Sequence, residues 1–133
     1  MRPLPILAAA AAYWLLGALW YSTLFAGIWT RGLEAHGVSL DEPTPRQMRL
    51  KLALTFLATL ATATAMAWLL STMGITSAPA ALPVGTVTGL GLGAAALAVA
   101  YTWESKPLAL YFVDASYHTL GPIVVAGVLG ALS

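Results

Sequence analysis

Residues 110–122, Leu-Tyr-Phe-Val-Asp-Ala-Ser-Tyr-His-Thr-Leu-Gly-Pro, carry an acid and an imidazole inside an otherwise apolar stretch. If the stretch is helical, Asp114 and His118 stand at i and i+4 on one face, with Tyr111 adjoining three residues before Asp114 and Tyr117 beside His118. An acid and a histidine so placed can hold one proton between them, which suits proton coupling or cation passage. Pro122 has no N–H to offer the carbonyl of His118, four residues earlier, so a kink is expected there. A carbonyl freed in hydrocarbon needs a partner from protein or from a wet cavity.

The elements that must position this chemistry are apolar helices. The chain of 133 residues is 59% hydrophobic and only 8% charged, against roughly 25% charged in a soluble domain. Mean hydropathy is +0.82, so the expected class is an integral membrane protein. A net charge of +1 gives no reason to expect nucleic-acid binding. With no cysteine, disulfides, thiolate catalysis and cysteine-ligated metal are excluded. A bilayer core takes about 20 apolar residues per helix, and four segments qualify: about 4–30, 45–72, 79–103 and 107–132. The fold expected is therefore all-α, one domain built as an antiparallel bundle of four transmembrane helices. The first run continues to Trp29, far past the roughly 7–15 residues of a signal core, and reads as an uncleaved span.

Punctuation supports the other three spans. Thr44-Pro45-Arg46-Gln47 has the form of a capping box with proline at the first helical position. Gly74 sits where a C-cap glycine belongs, and Glu104-Ser105-Lys106-Pro107 joins the last two spans with almost no loop. Arg31, Arg46, Arg49, Lys51 and Lys106 all fall in or beside the first and third connections, residues 31–44 and 104–106. By the positive-inside rule those connections are cytoplasmic and both termini lie outside, in what is expected to be a bacterial inner membrane. Trp29, Trp68 and Trp103 are placed near the interfaces.

Gly85, Gly89 and Gly93 form a small-xxx-small series in the third span. Such a series brings backbones close, either inside one bundle or between copies; a homo-oligomer sealed partly by this helix is expected. Counting from the cytoplasmic side, Asp114 lies roughly 10 Å and His118 roughly 16 Å into the membrane. The same count puts Trp20, Tyr21 and Ser22 of the first span at the depth of Asp114, with Tyr21 its favoured partner.

The segments that carry this cluster, residues 17–29 (GALWYSTLFAGIW) and residues 112–132 (FVDASYHTLGPIVVAGVLGAL), with ESKP between the last spans, resemble the small membrane proteins catalogued as domain of unknown function 1761. The resemblance runs over nearly the whole chain. It implies four spans, a Trp-Tyr-Ser signature at Trp20, Tyr21 and Ser22, and an Asp-x-x-Tyr signature at Asp114 and Tyr117. It implies a fold and the position of a polar site, and carries no activity.

An aspartate at the bilayer centre costs about 2.5–3.5 kcal/mol on insertion scales, which makes function the first hypothesis. Proton- or cation-linked transport or channel activity is one reading of Asp114, His118, Tyr21, Tyr111 and Tyr117. The alternative is a non-catalytic membrane scaffold or assembly protein, in which the cluster only holds helices together. No enzyme activity is expected, because Ser116 and His118 are neighbours on different faces and form no nucleophile–base pair. No cofactor and no metal is expected: His36 belongs to a polar loop, Glu104 to the interface, and a single histidine is little basis for haem. The expected partner is the lipid bilayer, with any small ligand or ion left open.

Overall fold

The computed structural model describes residues 2–133, and among them there are helices and no strand. Four helices have the length and apolarity to cross a bilayer: α1 (Pro3–Leu24), α3 (Pro45–Thr72), α4 (Ala78–Glu104) and α5 (Leu108–Ala131). The protein is an all-α integral membrane bundle. A fifth, shorter helix, α2 (Ala26–Ala35), follows α1 and is too short to span.

The expected single span over 4–30 is thus two helices. The last turn of α1, Trp20–Leu24, is π-helical, and the chain leaves helical geometry at Phe25 (φ −123°, ψ 17°). The Phe25 amide still donates to the Trp20 carbonyl at 2.9 Å. No proline marks this break. Its cause is tertiary: the Trp20 indole donates to the Val113 carbonyl of α5 at 3.0 Å and its ring packs on Phe25, with centroids 4.8 Å apart. That fixes where the chain must turn.

Helix ends follow local chemistry. At the start of α3 the Gln47 amide donates to Thr44 Oγ1 (3.2 Å) and the Thr44 amide to Gln47 Oε1 (2.9 Å), so two orphan donors are satisfied reciprocally. At its end Gly74 has φ +69°, which lets the Ile75 amide turn back to the Leu70 carbonyl (2.9 Å) and the Gly74 amide to that of Ser71 (3.1 Å). Gly37 (φ +80°) closes α2 in the same way through the Val38 amide and the Leu33 carbonyl.

Helix α5 is the most buried of the four and forms the hub: α1, α3 and α4 all pack on it. The core they share is built from small and apolar side chains, among them Ala9, Ala10, Ala63, Met66, Ala81, Val125 and Ala126. In lipid there is little hydrophobic gain from pairing helices, and close approach of backbones supplies the attraction instead. Gly130 shows how close: a Cβ there would lie 2.7 Å from the backbone of Ala78.

The glycine series of α4 is spent on this packing. A Cβ added to Gly85 would lie 2.6 Å from the Pro122 carbonyl oxygen, one on Gly89 2.5 Å from that of Thr119, and one on Gly93 2.9 Å from that of His118. These three residues face α5 of the same chain, so they are not free to seal an oligomer as expected. Helix α5 runs unbroken through Pro122. The His118 carbonyl that Pro122 leaves without its helical donor lies against Gly93, where the absent side chain admits Cα–H···O contact. Facing it, Gly89–Ala94 is a π-helical stretch of α4. A four-residue step overshoots an α-helical turn by roughly 40°, so a strict series drifts around the helix. The wider π turns offset that drift and keep Ala81, Gly85, Gly89, Gly93 and Tyr101 directed at α5.

Candidate functional site

Where α1 meets α5 the two helices run antiparallel, and both carry chemistry at four-residue spacing. Tyr13, Gly17 and Tyr21 form one face of α1; Asp114, Tyr117, His118 and Gly121 form the opposing face of α5. The glycines make the fit possible. A Cβ on Gly17 would lie 2.6 Å from the Tyr117 hydroxyl, and one on Gly121 1.8 Å from the Tyr13 ring.

Asp114 receives two phenols. The Tyr21 hydroxyl, from α1, donates to Oδ1 at 2.7 Å, and the Tyr101 hydroxyl, from α4, donates to Oδ2. One carboxylate therefore ties three helices together. Tyr101 is buried, its ring sits edge-on to Tyr111 (5.5 Å), and the Lys106 ammonium lies 5.0 Å over its centroid while pairing with Glu104 at 2.6 Å. The Tyr111 hydroxyl donates to the Ala94 carbonyl at 3.1 Å, at the end of the π stretch.

His118 has a separate partner. Tyr13 Oη lies 2.9 Å from His118 Nδ1, and the Tyr117 ring sits between the two halves of the cluster, 5.1 Å from Tyr13, 5.3 Å from Tyr21 and 4.8 Å from His118. The Tyr117 hydroxyl donates to the Tyr13 carbonyl at 3.3 Å. All five tyrosines of the chain, Tyr13, Tyr21, Tyr101, Tyr111 and Tyr117, thus converge on one acid and one histidine.

Several expectations need correction at this level of detail. Asp114 and His118 do not share a proton directly: among the described residues no hydrogen bond joins them, and each is engaged by tyrosines from other helices. Ser22 stands apart from the cluster, exposed, with its hydroxyl turned back to the Ala18 carbonyl of its own helix. Trp20 contributes through its indole to the backbone of Val113 and not to a side chain.

Two further participants, Tyr13 and Tyr101, join the expected residues, and both leave a signal in the sequence. Tyr101 lies six residues before Pro107 and Asp114 seven after it, so a tight turn brings them to equal depth. Tyr13 precedes Tyr21 by eight residues with Gly17 between, which is one helix face.

Among the described residues no three of His, Asp and Glu come together to hold a metal ion. His118 is part-buried. It lines a lateral groove of about 540 Å³ between α3 and α4, with Tyr13, Thr62, Met66, Trp68, Leu92 and Pro122 among its walls.

A family model described as "Protein of unknown function (DUF1761)" matches residues 4–130. The chain belongs to this family. Neither a curated protein nor a solved structure matches it. Membership of the DUF1761 family covers all four spans and both halves of the tyrosine cluster, and it assigns no reaction or cargo.

Proposed function

We propose that the protein is a non-catalytic membrane scaffold whose Asp114 locks the bundle. The observation that carries this reading is that both carboxylate oxygens of Asp114 accept a phenol, one from α1 and one from α4. A carboxylate so engaged offsets its cost of burial with charge-assisted bonds and has its acceptors directed inward. Among the described residues, no buried polar side-chain atom in the bundle lacks a partner.

A second reading, proton- or cation-linked transport, is favoured by the order of the titratable groups. Tyr101, Asp114 and Tyr21, then Tyr117, then Tyr13 and His118 run from the α4–α5 turn toward the membrane centre. The substitution Asp114→Asn separates the two. Asparagine keeps the size and can accept from one phenol while donating to the other, but it holds no negative charge. Under the scaffold reading the variant folds with parental stability to within about 1 kcal/mol and leaves liposome proton permeability unchanged. Loss of a pH-driven flux that the parent shows, with folding intact, would establish transport instead.

The orientation we propose places the connections at residues 31–44 and 104–106 in the cytoplasm and both termini outside, in a bacterial inner membrane. It rests on the positive charge of Arg31, Arg46, Arg49, Lys51 and Lys106.

A further inference from the structure

Helix α3 stands free of the bundle at one end. From Pro45 to Leu54 every residue is exposed, whichever side of the helix it occupies. The buried stripe begins only at Thr59 and runs through Ala63, Met66 and Leu70. The helix is also longer than a bilayer requires, its 28 residues reaching roughly 42 Å against a hydrocarbon core of about 30 Å. Trp68 is exposed and marks the level of one interface, where amphipathic rings settle. Counting back about 20 residues puts the other interface near Met48. Arg46, Arg49 and Lys51 therefore lie at headgroup level or within one turn of it, with side chains long enough to reach back up. Leu52, Leu54 and Leu57, all exposed, continue the helix into the acyl region.

These three cations have no acid to answer them. Helix α3 holds no Asp or Glu, and none occurs anywhere in residues 43–103. Among the described residues the one ion pair is Lys106 with Glu104, so Arg46, Arg49 and Lys51 pair with nothing in the chain. Arg46 and Arg49 also stand beside the positive end of the helix dipole, which disfavours a cation, and no acid occupies the first turn. An anion supplied from outside the chain relieves both repulsions. At this depth the anion in reach is a phospholipid phosphate, whose oxygens match the guanidinium fork. In a zwitterionic headgroup that phosphate already has its own cation, whereas in an anionic one it does not.

We propose that the free end of α3 binds anionic phospholipid, with Arg46, Arg49 and Lys51 holding the phosphate and Leu52, Leu54 and Leu57 lying along the acyl chains. The inference goes beyond the scaffold reading, and it depends neither on Asp114 nor on which end of the bundle faces the cytoplasm.

The test uses the full chain in phosphatidylcholine bilayers containing either phosphatidylglycerol or phosphatidylcholine spin-labelled near the end of one acyl chain. Electron paramagnetic resonance then reads the preference of the protein surface for one lipid over the other. The parent should prefer phosphatidylglycerol by about threefold, and the triple variant Arg46→Gln, Arg49→Gln, Lys51→Gln should fall to about equal association. Arg46→Lys with Arg49→Lys keeps the charge and should keep most of the preference. Arg2→Gln with Lys106→Gln removes two positive charges elsewhere and should leave it unchanged. As a local readout, the amides of residues 48–52 should exchange hydrogen about threefold more slowly in phosphatidylglycerol than in phosphatidylcholine, and the triple variant should lose that difference. A parent without preference, or a triple variant that keeps it, overturns the proposal. So does a preference that survives about 1 M sodium chloride, where screening acts over roughly 3 Å. Loss of the preference to inorganic phosphate, but not to chloride of the same ionic strength, would assign the cations to a free anion. Met48→Cys cross-linking to Asp41→Cys of a second copy that removes the preference would assign them to that copy's acids. Both of these results also overturn the proposal. Where the triple variant fails to fold, Arg49→Gln alone, the salt series and the exchange rates of the parent decide.

Discussion

If Asp114 is the lock of the bundle, its two phenols should be energetically coupled, and the size of the coupling can be worked out. Phenylalanine at position 21 keeps the ring that packs at 5.3 Å against both Trp29 and Tyr117, so Tyr21→Phe removes the hydrogen bond and little else. Tyr101→Phe does the same at Oδ2. A bond to a charged group is worth about 1.5–3 kcal/mol in a soluble protein. In membranes, measured interhelical bonds average about 0.6 and reach about 1.7 kcal/mol, because the unassembled helix also finds partners. Each single variant should accordingly lose about 1 kcal/mol.

With both phenols gone the carboxylate stands unpaired in hydrocarbon, at about 2.5–3.5 kcal/mol on insertion scales. The double variant should therefore lose about 3 kcal/mol, some 1 kcal/mol more than the sum of the singles. In the Asp114→Asn background no charge is left to strand, and the coupling should vanish. The assay is reversible unfolding in mixed micelles or steric trapping in bicelles, read for all eight members of the cycle. A double variant within 0.5 kcal/mol of the parent, or a coupling of equal size in the Asp114→Asn background, would refute the argument that a buried charge is being held.

Glycines of the π stretch should differ by face: Gly89→Ala drives a Cβ to 2.5 Å from the Thr119 carbonyl and should lower Tm in detergent by several degrees, whereas Gly91→Ala meets nothing within 4 Å and should be neutral or slightly stabilising. The helix-end turns should show a backbone cost, with Gly74→Ala, at φ +69°, losing about 1 kcal/mol in the same unfolding assay. For orientation, Ser39→Cys should react with an impermeant maleimide only from the cytoplasmic face of inverted vesicles, and labelling from the other face would reverse the assignment.

How much of this was legible in the sequence depended on whether the cause was local. Span length, the Thr44–Gln47 box and the left-handed turn at Gly74 follow from apolar run length and side chains within a few residues, and the helices of the structure begin and end accordingly. The break at Phe25 was not legible, because it depends on an indole reaching a carbonyl 93 residues away. Depth counting brought Tyr21 to Asp114 since both positions are measured from one membrane face. The same count, applied across the tight turn, places Tyr101 there too. It gives no azimuth, however, and that is why Ser22, next to Tyr21 and at the same depth, points away. His118 was paired with Asp114 because i, i+4 neighbours share a face; across helices, Tyr13 competes for it and wins.

Proline, glycine and π turn form one device, and it explains why the cluster is held so closely. Pro122 strips the His118 carbonyl of its helical donor, which in hydrocarbon demands an approach by another backbone. Only a residue without a Cβ can make that approach, and Gly93 does, with Gly89 and Gly85 extending the seam along α5. A seam of four-residue period cannot stay on one face of an ideal α-helix, and Gly89–Ala94 widens accordingly. The widened turn keeps Tyr101, two four-residue steps beyond Gly93, aimed at Asp114. It also leaves the Ala94 carbonyl to the Tyr111 hydroxyl at 3.1 Å. The backbone irregularity in α4 and the polar contacts in α5 are therefore consequences of the same packing constraint. A change that restored a regular helix at Gly89–Ala94 would rotate Tyr101 away from the carboxylate before it disturbed any side chain of the cluster directly.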